Sequence, residues 1–212
     1  PSNQIENWAK IQADRFSNAV IRGFHTELET VYEEKNMSLT KDFQKALATI
    51  DGILFPDHPY GTQTVLGTQE HLKNPSIINI KNYYKKYYVP NNMAICVSGD
   101  FNPDEMVAII EKYFGRMQPN EDLSELTLKT EFQLEAPVEK EVYGLDAEAI
   151  IMGWKYPGAA SKDALIAEVA ASVLYNGAAG LIDLNINQEQ KVLGASGMSY
   201  PRPDASELII MA

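Results

Sequence analysis

Residues 24–36, Phe-His-Thr-Glu-Leu-Glu-Thr-Val-Tyr-Glu-Glu-Lys-Asn, constrain this chain more than any other stretch. Glutamates broken by apolar residues at helical spacing predict one amphipathic helix. At about 100° per residue, Phe24, Leu28, Val31 and Tyr32 share one side. Glu27 and Glu34 stand seven residues apart, on one line at the margin of that side, while Glu29 and Glu33 turn further toward solvent. Two carboxylates so placed are able to hold a cation or a water. The same spacing also describes a solvated acidic face, the usual situation of helix glutamates. The pattern permits a site without requiring one.

Around this helix the chain reads as alternating helices, turns and strands. A helix from Asn3 to about Val20 is expected to turn Ile5, Trp8 and Phe16 inward, and Gly23 separates it from the glutamate helix. Phe43, Ala46, Leu47, Ile50 and Leu54 resume helical spacing up to Pro56. Asp57-His58-Pro59-Tyr60-Gly61 reads as a turn, followed by Gly67-Thr68-Gln69-Glu70 at the start of a short acidic helix. His58 has two readings, a metal ligand or a structural hydrogen-bonder, and a lone loop histidine is more often the second. Ser76 caps a helix through Tyr88, whose tyrosines read as core packing with exposed hydroxyl tips rather than a stacking platform. Residues 93–100 read as a strand buried on both faces, with Cys96 as a small core hydrophobe.

Asn102-Pro103-Asp104-Glu105 combines a cap, a proline at the first position and an acid three after the cap, a helix start that also accounts for Asp104 without a metal; Asp100 near that start carries no metal reading either. Met106, Ile109, Ile110, Tyr113 and Phe114 supply its inward stripe, and Gly115 ends it. Composition then changes through residues 116–136, which read as a connection between domains. Beyond it, residues 138–143 and 148–154 are strand candidates. Ser161 opens a helix with Leu165, Ile166, Val169, Val173 and Leu174 inward, Gly180 to Leu184 begins another, and residues 196–200 and 207–211 are strands.

Composition narrows the function. A net charge of −11 lacks the basic stripe a nucleic-acid binder needs, and leaves open an acidic surface for basic peptides. One cysteine excludes an internal disulfide framework and a cysteine-based zinc site. No apolar run reaches membrane-span length, and a cytoplasmic or a periplasmic setting fits equally. Asn36-Met37-Ser38 matches a glycosylation sequon inside a helical stretch. There is no Gly-x-Ser-x-Gly elbow, Walker loop or dinucleotide fingerprint.

The segment Thr26-Glu27-Leu28-Glu29-Thr30-Val31-Tyr32-Glu33-Glu34 resembles the third-ligand helix of the pitrilysin/insulinase family of zinc peptidases. So do the His-Pro-Tyr-Gly loop, the strand, turn and helix of residues 93–115, and the Gly180-Leu181-Ile182-Asp183 segment, in the same order. The resemblance implies that Glu34 is a ligand to Zn²⁺ and that Glu27 supports the site from behind. It implies an α+β fold of two-layer units, each an antiparallel sheet with helices on one face, repeated in tandem with the second unit truncated. The expected divisions are residues 1–118 for the end of the zinc-site domain, 119–136 for the connection and 137–212 for the start of the second domain. The family's inverted His-x-x-Glu-His motif is absent, since His25, His58 and His71 are scattered. The resemblance therefore implies a fragment beginning downstream of the motif, inert alone and not expected to bind zinc by itself. Its partners would be peptide substrates, the missing N-terminal segment and a homologous second half. Two other readings stay open: a non-catalytic scaffold or assembly subunit of the same fold, and an unrelated acidic α+β interaction module.

Overall fold

Hydrogen bonding at helix starts sets most of the local structure. The computed structural model describes residues 2–124, 128, 130 and 134–212, and the chain divides into two compact units, Pro1–Thr30 with Glu70–Leu126 and Val31–Gln69 with Thr127–Ala212. Among the described residues the first unit is helical. A short 3₁₀ turn, Ser2–Gln4, leads into α1 (Ile5–Ser17), and α2 (Phe24–Leu39) begins in this unit and ends in the other. Gly23 makes the break between them at φ 64°, a left-handed conformation that glycine adopts without penalty. Next in the chain, α3 (Asp42–Leu54) and α4 (Pro59–Thr62) belong to the second unit, and α5 (Gln69–Lys73) leads back to α6 (Ile77–Tyr87) and α7 (Pro103–Phe114) of the first.

Two of the starts expected in the first unit are capped as the sequence predicts. Ser76 Oγ accepts from Asn79 N, and Asn102 Oδ1 accepts from Asp104 N and Glu105 N. On α1 the buried residues are Ala9 and Ala13, small enough to let α7 and its buried Met106 approach closely. Trp8, expected inward, is exposed, because the alanine face rather than the aromatic one meets α7. Lys112 and Tyr113 of α7 both donate to the Glu6 carboxylate, and Tyr84 Oη donates to Phe16 O. The Asn91 side chain holds the Asn120 backbone, with Nδ2 donating to Asn120 O and Oδ1 accepting from Asn120 N.

Residues 93–98 depart from expectation. Among the described residues they pair with no strand, and Cys96 is exposed rather than a core hydrophobe. A strand needs lateral hydrogen-bond partners, and the described residues of this unit provide none.

The second unit holds the sheet. Strands β1 (Ile151–Pro157), β2 (Ser196–Tyr200) and β3 (Ala205–Met211) form an antiparallel sheet in the order β1-β3-β2, with Gly153 opposite Ile209 and Met198 opposite Ile209. Residues 138–143, a strand candidate, are exposed and unpaired, and of the 148–154 candidate only the part from Ile151 joins the sheet. Beyond β1 the ladder continues with Ile150 and Ala212, which exchange two backbone bonds. Much of the expected connection, residues 125–127, 129 and 131–133, lies outside the described residues.

Helices cover both faces of this sheet, not one as expected. In an antiparallel ladder directly opposed residues share a face, so Gly153, Ile209 and Met198 point one way and Gly197 the other. A Cβ at Gly153 would come within 2.7 Å of Ile50 Cγ2, so α3 lies directly on that face. On the opposite face Gly197 lies under Ile182 and Tyr175. These belong to the segment after α8 (Lys162–Leu174), whose N-cap Ser161 accepts from Ala164 N. Ala164 and Ala171 are the buried positions of α8, whereas Leu165, Ile166, Val169 and Val173, expected inward, are exposed. This helix is apolar nearly all round, so periodicity could not choose its inward stripe; close approach to the sheet selects the alanines. Leu54, Phe55 and Ala205 form the buried cluster between α3 and the sheet, with Ile50 and Tyr60 against it. Burying a side chain such as Phe55 contributes about 1.5–3 kcal/mol.

Candidate ligand helix and a buried charge cluster

The predicted glutamate helix is present as α2. Phe24, Leu28, Val31 and Tyr32 are half-buried along one side, and Glu27, Glu29, Glu33 and Glu34 are exposed. The residues after Glu34 are tied down within the second unit. Lys35 Nζ donates to Thr64 Oγ1, which itself donates to Gly67 O, and Gln69 Nε2 donates to Asn36 Oδ1 at 2.7 Å. The sequon asparagine is thus engaged inside a helix, and Ser38 Oγ is bonded to Lys35 O. Neither side chain is presented in an extended segment.

The described residues do not by themselves complete a zinc site. Glu34 offers one carboxylate, and among the described residues no group of three or more His, Cys, Asp or Glu side chains gathers to hold a metal. Glu27 and Glu34 share a helix but are joined by no histidine, and the chain contains no His-x-x-Glu-His. No hydrolytic step can be assigned to these side chains alone.

His58 settles on its structural reading. It is 2% exposed, and its Nδ1 accepts from Tyr60 N at 3.1 Å, capping α4. Its ring stacks edge-on with Tyr60, and its Nε2 lies 3.7 Å from Asp204 Oδ2 without a hydrogen bond. Burial holds the imidazole below its ordinary pKa; Asp204 works against this, while Arg202 and Lys155 reinforce it. Asp104 contributes its backbone N–H to the cap of α7, as the helix-start reading requires.

Sequence reasoning passed over a constellation in the second unit. Arg202, on the β2–β3 hairpin, places Nη2 3.0 Å from Asp51 Oδ1 of α3 and 3.1 Å from Glu207 Oε1 of β3. Its guanidinium carbon lies 4.2 Å from the Tyr60 ring centroid and 4.6 Å from that of Phe55, so the cation is held between aromatic faces. Tyr60 Oη donates to Asp204 Oδ2, tying α4 to the hairpin. Glu207 is 4% exposed. Burial pushes its carboxyl up to about 7, Asp51 adds to this, and Arg202 opposes it without prevailing because its one contacting nitrogen is shared. The signal was visible in Ala205-Ser206-Glu207-Leu208-Ile209-Ile210, where a lone acid interrupts an apolar strand.

A second buried acid is locally satisfied. Asp183, at the start of the π-helical turn Asp183–Asn187, accepts backbone N–H bonds from Asn176, Gly177 and Gly180. Burial works against its ion, but these bonds and one from Asn187 together hold its pKa below the ordinary aspartate value.

Comparison with known proteins reports on this architecture as a whole. The family model described as the peptidase M16 inactive domain matches residues 78–211. An uncharacterized zinc protease of Mycobacterium leprae is 36% identical over 62 residues, 29% of this chain and 14% of its own length. The zinc protease PqqE of Helicobacter pylori is 24% identical over 151 residues, 68% of this chain and 32% of its own. A crystal structure of a protease from Helicobacter pylori superposes with a TM-score of 0.82 at 19% identity, covering 99% of this chain and 52% of that one. The chain therefore spans about half of that structure and smaller shares of the curated relatives. Among the described residues no helix is long and apolar enough to cross a membrane.

Proposed function

Because the chain belongs to the peptidase M16 family, that of pitrilysin and insulinase, we propose that it is part of a zinc-dependent endopeptidase acting on peptides or unfolded chains. Within it Glu34 is the carboxylate ligand and Glu27 supports it from one helical repeat back. Residues 1–118 form the later part of a zinc-site domain, 119–136 the connection and 137–212 the start of a second domain of the same α+β design. In this reading residues 93–98 take their place in the first domain's sheet. The two histidines and the general base lie outside these residues, as does a homologous half that completes a chamber for the substrate.

The observation that carries the proposal is the position of Glu27 and Glu34. They occupy one line of α2, both exposed, at the margin of the side on which Phe24, Leu28, Val31 and Tyr32 are half-buried. Exposed helix glutamates are common; what favours the ligand reading is their seven-residue spacing within a segment that resembles the family's third-ligand helix. The family supplies the chemistry: zinc bound in such a site lowers the pKa of a coordinated water. The chain's own contribution is to hold a carboxylate at Glu34 on a rigid helix. The test is peptide cleavage by the complete protein, in which Glu34→Gln is expected to abolish turnover and Glu33→Gln to leave it intact.

The scaffold reading has one observation in its favour: the family match is to an inactive-type domain and begins at residue 78, after α2. A complete protein lacking the two histidines would select it.

A further inference from the structure

The charge cluster around Arg202 is used by no part of the proposed peptidase chemistry, yet it joins four elements of the second unit. Asp51 comes from α3, His58 and Tyr60 from the segment through α4, Arg202 and Asp204 from the hairpin, and Glu207 from β3. Lys155 of β1 stands directly across from Glu207, with its ammonium donating to Thr130 O and lying 5.6 Å from the Phe55 ring centroid. From β2, the Tyr200 ring also faces the guanidinium, 5.6 Å away.

The geometry leaves this cluster one positive contact short. A guanidinium can serve a carboxylate through two parallel bonds. Here a single nitrogen, Nη2, serves both Asp51 and Glu207, while among the described residues Arg202 Nε and Glu207 Oε2 are buried with no hydrogen-bond partner. A buried carboxylate, Glu207, and a half-buried one, Asp51, competing for one donor are stable together only at a cost, which a single proton removes. We propose that the cluster is a proton-operated clasp. With one proton on Glu207, Arg202 serves Asp51 alone and α3 and the His58 segment are held firmly on the hairpin; when that proton leaves, Asp51 and Glu207 repel across the shared nitrogen and the hold loosens.

The direction of the effect follows from linkage. Glu207 binds its proton more tightly in the fold than the ordinary carboxylate value of 4.5, at about 7. The stabilisation from this proton is fully present below pH 4.5 and is lost as pH rises through about 7. His58 acts in the opposite sense: its buried imidazole resists protonation, so it disfavours the fold as pH falls below the ordinary histidine value of 6.5. The two must be separated. His58→Asn retains a side chain that caps α4 and removes the imidazole, leaving Glu207 as the group under test.

The experiment is hydrogen exchange on the full chain carrying His58→Asn, with and without Glu207→Gln, corrected for intrinsic exchange rates. The readout is the protection of residues 51–62 and 200–208. With Glu207 in place, protection falls by up to about tenfold per pH unit between pH 4.5 and 7 and then levels off. With Glu207→Gln it stays flat. An equal slope in the two proteins overturns the clasp. Should Glu207→Gln fail to fold, the carboxyl carbon resonance of Glu207 in the unmodified chain decides: a midpoint near 7 supports the proposal and one near 4.5 overturns it.

Discussion

Two glutamates on opposite kinds of surface separate the chain's proposed chemistry from its stability. Glu34 projects from α2 into solvent, with its neighbours Lys35 and Asn36 strapped to residues 64–69 and, among the described residues, no metal-binding group assembled around it. Glu207 is enclosed among Asp51, Arg202, Tyr60 and the α3–sheet core. An exposed carboxylate costs the fold little and is available to a partner group. A buried one is worth what its neighbours make of it, and removing a neighbour exposes that dependence. Mutations should therefore divide by region: severe for stability around Arg202, mild around α2.

The largest expected effect is at Arg202. Arg202→Met keeps volume but leaves Asp51 and Glu207 without the guanidinium between them. It should cost about 3–5 kcal/mol, read as a lower urea midpoint at pH 8. If that loss is under about 1 kcal/mol, the cluster does not hold the second unit together. Next is Gly153→Ala, where the added methyl meets Ile50 Cγ2 at 2.7 Å and Leu54 at 3.2 Å. Overpacking there should cost about 1–3 kcal/mol, again by denaturant melting; no loss would mean that α3 does not rest on β1. Asn102→Ala, which removes the cap on two N–H groups of α7, should cost about 1 kcal/mol. Val169→Ser on the exposed side of α8 should change stability by less than about 0.5 kcal/mol. A larger effect would show that side to be covered in solution.

The same division explains what could be read from the residues alone. Local rules were sufficient for α2, for the caps at Ser76, Asn102 and Ser161, and for β2, because each depends on a few neighbouring side chains. Residues 93–97 have the composition of a buried strand, but strand formation depends on a partner elsewhere in the chain, and their sequence carries no information on that. Helix α8 failed for a different reason: with alanine and larger aliphatics on every side, its periodicity had no preferred direction. The sequence marks Glu207 as a lone acid in an apolar strand, but its partners Asp51 and Arg202 carry no such mark until α3 and the hairpin bring the three together. For Glu27 and Glu34 the sequence supplied the helix and their common line, while the ligand role came from resemblance.

That role is the central claim, and bound zinc is its most direct measure. The complete protein should be compared with Glu34→Gln and Glu33→Gln by metal content after dialysis and by affinity in competition with a chelator. With Glu34→Gln the account predicts loss of zinc with the fold intact, and with Glu33→Gln retention of metal. Glu27→Gln should fall between them, weakening affinity by about 10–100-fold. Equal losses at Glu33 and Glu34, or a greater loss at Glu33, would contradict the assignment.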